Sequence, residues 1–134
     1  MSKLLLVRHG ETEWNLVGRV QGHSDTPLNE TGRSQIRRLA ARLATTEFAA
    51  AYSSDLSRCL EGARILLEGH ETPLTLAPEL RELSYGVLEG RTYGEIQSDS
   101  PSLYGKIMAG DVAFAPPEGE SVEDLTRRVT ELMD

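Results

Sequence analysis

The sequence predicts an α/β domain, because short apolar runs of strand length alternate with stripes of helical spacing. Leu4-Leu5-Leu6-Val7 is a continuous apolar run and reads as a fully buried strand. Ile36, Leu39, Ala40 and Leu43 fall at i, i+3, i+4 and i+7, one apolar face of a helix opened by Thr31. Ala49 to Ser53 then reads as a short second strand, and Leu56 to about Leu67 as a second helix. At 134 residues the chain is long enough for one domain with a real core and too short for two.

The later elements follow the same logic. Ser53, Ser54 or Asp55 can cap the helix that starts near Leu56, and Gly69 ends it. Leu74-Thr75-Leu76 is a third, weak strand closed by Pro78. Thr92 to Ala109 reads as two short helices broken around Ser100-Pro101. Ala113 to Glu120 carries Pro116, Pro117 and Gly119 and reads as a loop. Ser121 to Asp124 resembles a capping box, and Val122, Leu125, Val129 and Leu132 give a last amphipathic helix. Between the first strand and the first helix, Asn15 to Asn29 has few apolar residues and reads as an ordered loop.

Composition limits the partners. Apolar residues make up 39% and charged residues 26%, the balance of a soluble globular chain. Net charge is −7, from 21 acids against 14 bases, which argues against a nucleic-acid-binding surface. It does not argue against a phosphate substrate, because the charge inside a pocket is local. Met1 to Val7 is too short an apolar stretch for a signal peptide or a membrane span. Cys59 is the single cysteine, so no intrachain disulfide and no cysteine-rich metal site can form. We therefore expect a cytoplasmic protein that does not associate with membranes, with Cys59 a small buried helix residue.

The chemistry concentrates where the first strand ends, at Arg8-His9-Gly10. Ligands of open α/β sheets sit just outside the carboxyl ends of the strands. An imidazole there beside a guanidinium is a candidate nucleophile held against an anion. Gly10 lets the backbone turn and a ligand approach, and Asn15 can hydrogen-bond a phosphate oxygen without adding charge. Arg58 falls in the first turn of the second helix, where a guanidinium can share a phosphate with helix N–H groups. The three histidines, His9, His23 and His70, are scattered and none shares a helix face with a second ligand, so no metal site is expected. No Gly-x-Gly-x-x-Gly or phosphate loop follows the first strand, which disfavours a nucleotide-binding domain.

Leu4 to Asn15, with Arg8-His9-Gly10-Glu11-Thr12-Glu13-Trp14-Asn15 at its centre, resembles the signature of the histidine phosphatase superfamily, which includes the cofactor-dependent phosphoglycerate mutases. Arg19, Gln21, Gly22, Asp25, Pro27, Leu28 and Asn29 match the pattern that follows it. Tyr52 to Cys59 resembles the second block and Leu80 to Gly90 the third. The resemblance implies a three-layer α/β/α phosphoglycerate mutase-like fold and a phosphohistidine mechanism. His9 would be the nucleophile and Glu82 the proton donor. Arg8, Asn15, Gln21, Gly22 and Arg58 would bind the phosphoryl group, although Gln21 reads equally as a solvated loop residue. No cofactor and no metal are implied, and the partner is a small phosphorylated metabolite.

Two departures shape the expectation. Thr92 to Glu120 contains one base, Lys106, against Glu95, Asp99, Asp111, Glu118 and Glu120. Glu82-Leu83-Ser84-Tyr85-Gly86 also lacks the arginine and histidine usual after the acid in mutases. The chain thus looks most similar to the broad-specificity and alpha-ribazole phosphatase branch; the alternatives are mutase-type phosphoryl transfer and a non-catalytic phosphate-binding remnant. The family also has a second histidine in an apolar strand ending in His-Gly, and no such strand is present. Residues 1–134 would then be the N-terminal two-thirds of a single family domain, with a fold incomplete at the C-terminus. Edges left open by that strand would favour self-association.

Overall fold

The computed structural model describes residues 3–134, so the apolar opening read from Met1 to Val7 is seen from Lys3 onward. Its helices are α1 (Glu13–Val17), α2 (Glu30–Leu43), α3 (Ser57–Leu66), α4 (Tyr93–Asp99), α5 (Pro101–Met108) and α6 (Val122–Met133). Two strands, β1 (Ala51–Ser53) and β2 (Leu74–Leu76), pair in parallel with Ala51 opposite Leu74 and Ser53 opposite Leu76. The right-sized connection between them is α3, as a parallel crossover requires. Single 3-10 turns lie at Pro78–Leu80 and Gly86–Leu88.

Local chemistry sets most of the boundaries. The Asn29 side chain accepts from Gly32 N and starts α2 at Glu30, one residue before the expected Thr31. Gly32 and Ile36 are buried on the predicted face of α2, which packs on α3. Arg33, at the edge of that face, pairs with Glu61 of α3, and Arg37, off it, pairs with Glu30. Ser100-Pro101 separates α4 from α5, since proline cannot continue the helix before it but suits the first turn of the next. Ser121 and Asp124 form the capping box of α6.

Three expectations are corrected. Leu4 to Val7 is not a buried strand: it pairs with no strand among the described residues, and Leu4 and Leu6 are 71% and 83% exposed. An apolar run buries itself only when neighbouring strands flank it, and the described sheet is β1 and β2 alone. Second, the loop from Asn15 to Asn29 is interrupted at its start by α1, whose capping box is Thr12 with Asn15. Third, Ser53 and Asp55 do not cap α3. Asp25 does so from the earlier loop, accepting from Ser57 N at 2.7 Å and from the Ser57 hydroxyl at 2.9 Å, while the Ser54 hydroxyl accepts from Leu56 N.

The densest apolar cluster joins Val20, Leu88 and Ile96, with Tyr85, Leu103, Tyr104 and Ile107 against it. It ties the loop after α1 to the 80–90 segment and to α4 and α5. At the other end, the chain after His9 presses directly onto α2. A Cβ on Gly10 would lie 2.8 Å from Gly32 Cα, closer than packed atoms tolerate. Gly10→Ala should therefore lower stability by about 1–3 kcal/mol, the usual cost of overpacking. Chemical denaturation checks this, and an unchanged midpoint would show that the two backbones are free to separate.

Candidate active site

His9 sits at the end of the extended opening segment, half-buried, with Nδ1 2.7 Å from the Gly10 carbonyl oxygen. A carbonyl can only accept, so Nδ1 carries the proton and the neutral ring keeps its lone pair on Nε2. Burial pushes the imidazole below its ordinary value. The Gly10 carbonyl and the Glu82 carboxylate act in the opposite direction, and the Arg58 and Arg8 charges add to the depression. His9, Arg8, Arg58 and Glu82 thus share one electrostatic neighbourhood, although 24 residues separate Arg58 from Glu82.

Arg58 is the only charged side chain among the described residues that is fully buried. It stands in the first turn of α3, beside the carboxyl end of β1. Its Nη1 donates to Ser24 O at 2.8 Å, and its Nη2 to Gly22 O at 2.6 Å and to Glu82 Oε2 at 3.2 Å. The loop 22–24 therefore supplies the oxygens that make the burial tolerable. Its Nε–H is buried and finds no partner among the described residues. Gly22 adopts φ +56°, and a Cβ there would collide with the Glu89 carboxylate.

Glu89 is the residue that shapes this loop, and sequence reasoning assigned it no role. One of its oxygens accepts from His23 N at 2.8 Å and from Tyr85 N at 3.1 Å; the other accepts from the Ser24 hydroxyl at 2.5 Å. The carboxylate thereby joins the strap around Arg58 to the segment that carries Glu82. Arg81, next to Glu82, forms a two-point pair with Asp55 at 2.7 and 2.5 Å. That pair holds the Asp55 carboxyl below its usual range.

The other expected residues are placed unevenly. Arg8, His9, Gly10, Glu11, Asn15 and Gln35 line one polar cavity of about 470 Å³. Arg8 is exposed and makes no hydrogen bond to other described residues, which leaves its guanidinium available. Asn15 Oδ1 accepts from Thr12 N, so its NH₂ group still has donors to offer. Gln35 lies on the polar side of α2 and was missed, because helical spacing marks it only as solvated. Gln21 is corrected: it is neither solvated nor directed at the cavity. Its side chain is buried and its Oε1 accepts the Thr12 and Thr26 hydroxyls. Gly22 reaches the site only through its carbonyl on Arg58.

Neither remaining histidine joins His9. His23 Nε2 lies 3.7 Å from Glu120 Oε2, and His70 packs against the Phe48 ring at 5.4 Å. Cys59 follows Arg58 in α3, and burial pushes its thiol up, away from the reactive thiolate. Among the described residues no group of three His, Cys, Asp or Glu side chains is arranged to hold a metal, and no helix is long and apolar enough to cross a membrane.

The profile of the histidine phosphatase superfamily (branch 1) matches residues 4–134. The chain belongs to the histidine phosphatase superfamily. A probable phosphoglycerate mutase GpmB of Photorhabdus laumondii is 39% identical over 129 residues, covering 96% of this chain and 60% of that protein. The alpha-ribazole phosphatase from Shigella flexneri superposes with a TM-score of 0.88 at 29% identity, over 95% of this chain and 63% of that one. A mycobacterial glucosyl-3-phosphoglycerate phosphatase, solved as a complex with VO3, gives 0.85 at 35% identity, over 93% and 62%. These superpositions place the chain in the phosphoglycerate mutase-like α/β fold. It spans about three-fifths of the length of such histidine phosphatase relatives.

The electrostatics around His9 carry a testable sign. In this member of the superfamily, ring NMR should show His9 titrating below the ordinary imidazole value of about 6.5. Glu82→Gln removes a charge that favours the protonated ring, so the midpoint should fall further. A midpoint that rises, or does not move, would separate Glu82 from His9.

Proposed function

We propose that this site transfers the phosphoryl group of a small phosphomonoester to His9 and then to water. The observation that carries the reading is the His9 imidazole itself. Its Nδ1–H is committed to the Gly10 carbonyl, its ring is biased to the neutral form chiefly by burial, and the charges of Arg58 and Arg8 add to that bias. Nε2 attacks phosphorus while the phosphorus–oxygen bond to the leaving group breaks. Glu82 gives the departing oxygen a proton. In the second half, the Glu82 carboxylate takes a proton from water as its oxygen attacks phosphorus, and the phosphorus–nitrogen bond breaks to restore His9. Arg8, Arg58 and the Asn15 NH₂ neutralise the equatorial oxygens, and the unpartnered Nε–H of Arg58 is a donor such an anion would satisfy. The Glu82 side chain is 42% exposed, so a leaving group and water can both reach it.

Hydrolysis is favoured over mutase-type transfer by the 92–120 segment. A mutase must hold a second anionic group, and the one base of that segment, Lys106, lies over the Phe114 ring at 5.7 Å. The solved phosphatases named above are consistent with this reading, and the mutase name of the curated relative marks its competitor. A second reading is phosphate binding without turnover by these residues: His23 lies against Glu120 and His70 against Phe48, so His9 has only the arginines and Asn15 to share an anion with among the described residues.

Acid-labile labelling separates them. A phosphomonoester labelled in its phosphoryl group should label this chain and not His9→Ala. Equal labelling of both would reject His9, and no labelling of either would favour the binding-only reading. The rate of labelling should rise with pH through a midpoint below about 6.5, since the protonated ring has no lone pair to attack with. Glu82→Gln should slow labelling by alkyl or phenyl esters far more than by p-nitrophenyl phosphate, whose leaving group needs no proton. Equal slowing of all three would remove Glu82 from the role of acid.

A further inference from the structure

Glu82 is held from both sides. Its carboxylate faces Arg58, while its backbone is gripped from behind by α6. Arg128 Nη2 donates to the Glu82 carbonyl oxygen at 2.9 Å, across 46 residues of sequence, and Nη1 donates to the Glu79 carbonyl oxygen. The same guanidinium meets Glu120 with Nε to Oε1 at 2.7 Å and Nη2 to Oε2 at 3.0 Å. Glu120 in turn accepts from Ser84 N at 2.9 Å, and its own N–H donates to Ser84 O at 2.8 Å. Residues 79, 82 and 84 are thus clamped by one two-point ion pair whose side chains are only 18% and 20% exposed. Arg128 also holds the Glu120 carboxyl below its usual range, which favours the carboxylate that the clamp uses. An ordinary surface ion pair contributes little. This one differs because each partner also binds the backbone of the segment that presents the proton donor.

We propose that Arg128, working with Glu120, is a positioning residue for Glu82: it fixes the 79–84 backbone so that the carboxylate is held between Arg58 and His9. The inference rests on the reading of Glu82 as the acid. Arg128 touches neither substrate nor His9 and acts through Glu82 alone. A clamp this far from the reacting atoms matters because a displacement of about 1 Å in a catalytic group can cost about 100-fold.

A mutant cycle tests it without requiring turnover. His9 is titrated by NMR in the full chain, in Arg128→Leu, in Glu82→Gln and in the double variant. Arg128→Leu should lower the His9 midpoint by at least half of the fall seen in Glu82→Gln, and the double variant should match Glu82→Gln alone. Glu120→Gln, which keeps the shape of the clamp, should give a smaller fall of the same sign. Should Arg128→Leu fail to fold, Glu120→Gln and Arg128→Lys, which keeps charge but cannot bind four acceptors, carry the same test. Labelling supplies a second arm: Arg128→Leu should slow phenyl phosphate at least tenfold more than p-nitrophenyl phosphate. A shift in Glu82→Gln with none in the Arg128 and Glu120 variants would overturn the inference and leave Glu82 in place. An additive double variant, or equal slowing of both esters, would reduce Arg128 to a structural role. No shift in Glu82→Gln would overturn the reading of Glu82 and the inference with it.

Discussion

The buried guanidinium of Arg58 is the constraint around which the site is arranged. A charge fully removed from water must be met by oxygens, and the chain delivers them from two distant places. Gly22 and Ser24 contribute carbonyls, and Glu82 contributes a carboxylate oxygen. Each of those contacts fixes something else. The carbonyls require the loop 22–24 to curl over α3, which in turn brings Asp25 to the α3 N-terminus. The Glu82 contact requires the 79–89 segment to lie across the mouth of that loop, where Glu89 binds both.

This arrangement also explains how the cation can serve two ends. With both terminal nitrogens engaged, Arg58 cannot swing, so any anion meets a charge whose position is already set. Preorganisation of that kind is what makes a fixed cation more useful than a mobile one. Arg8 is the complement: exposed, adjacent to His9 and without a hydrogen bond to the other described residues, it can adjust to what binds. His9 feels both the rigid and the adaptable charge, with the Gly10 carbonyl selecting its tautomer. That carbonyl is placed by the close backbone contact of Gly10 with Gly32, so the packing of α2 reaches His9.

Much of this was legible in the sequence, and what was not has a common cause. Arg8, His9, Asn15, Arg58 and Glu82 stand in local motifs with enough flanking residues to be read. The helices from α2 to α6 announce themselves through spacing, caps and proline. The roles of Gln21, Asp25, Glu89, Glu120 and Arg128 were not legible. Asp25, Glu89, Glu120 and Arg128 each act on a partner remote in sequence, as far as 66 residues for Glu89 with His23, and no periodicity encodes such pairs; Gln21 is bound within its own loop, which spacing reads only as polar. Leu4 to Val7 shows the opposite failure. Its composition states correctly that it wants burial, but burial belongs to the neighbours, and none of the described strands provides it.

If His9 and the fixed guanidinium of Arg58 form one anion site, a single bound anion must perturb both. The most direct measurement follows the Arg58 Nε–H resonance and the His9 ring signals together during a titration of the chain with inorganic phosphate. Both sets should move and fit a single binding curve, because one bound anion touches both. Two different midpoints, or a His9 shift with the Arg58 signal unmoved at saturation, would contradict it.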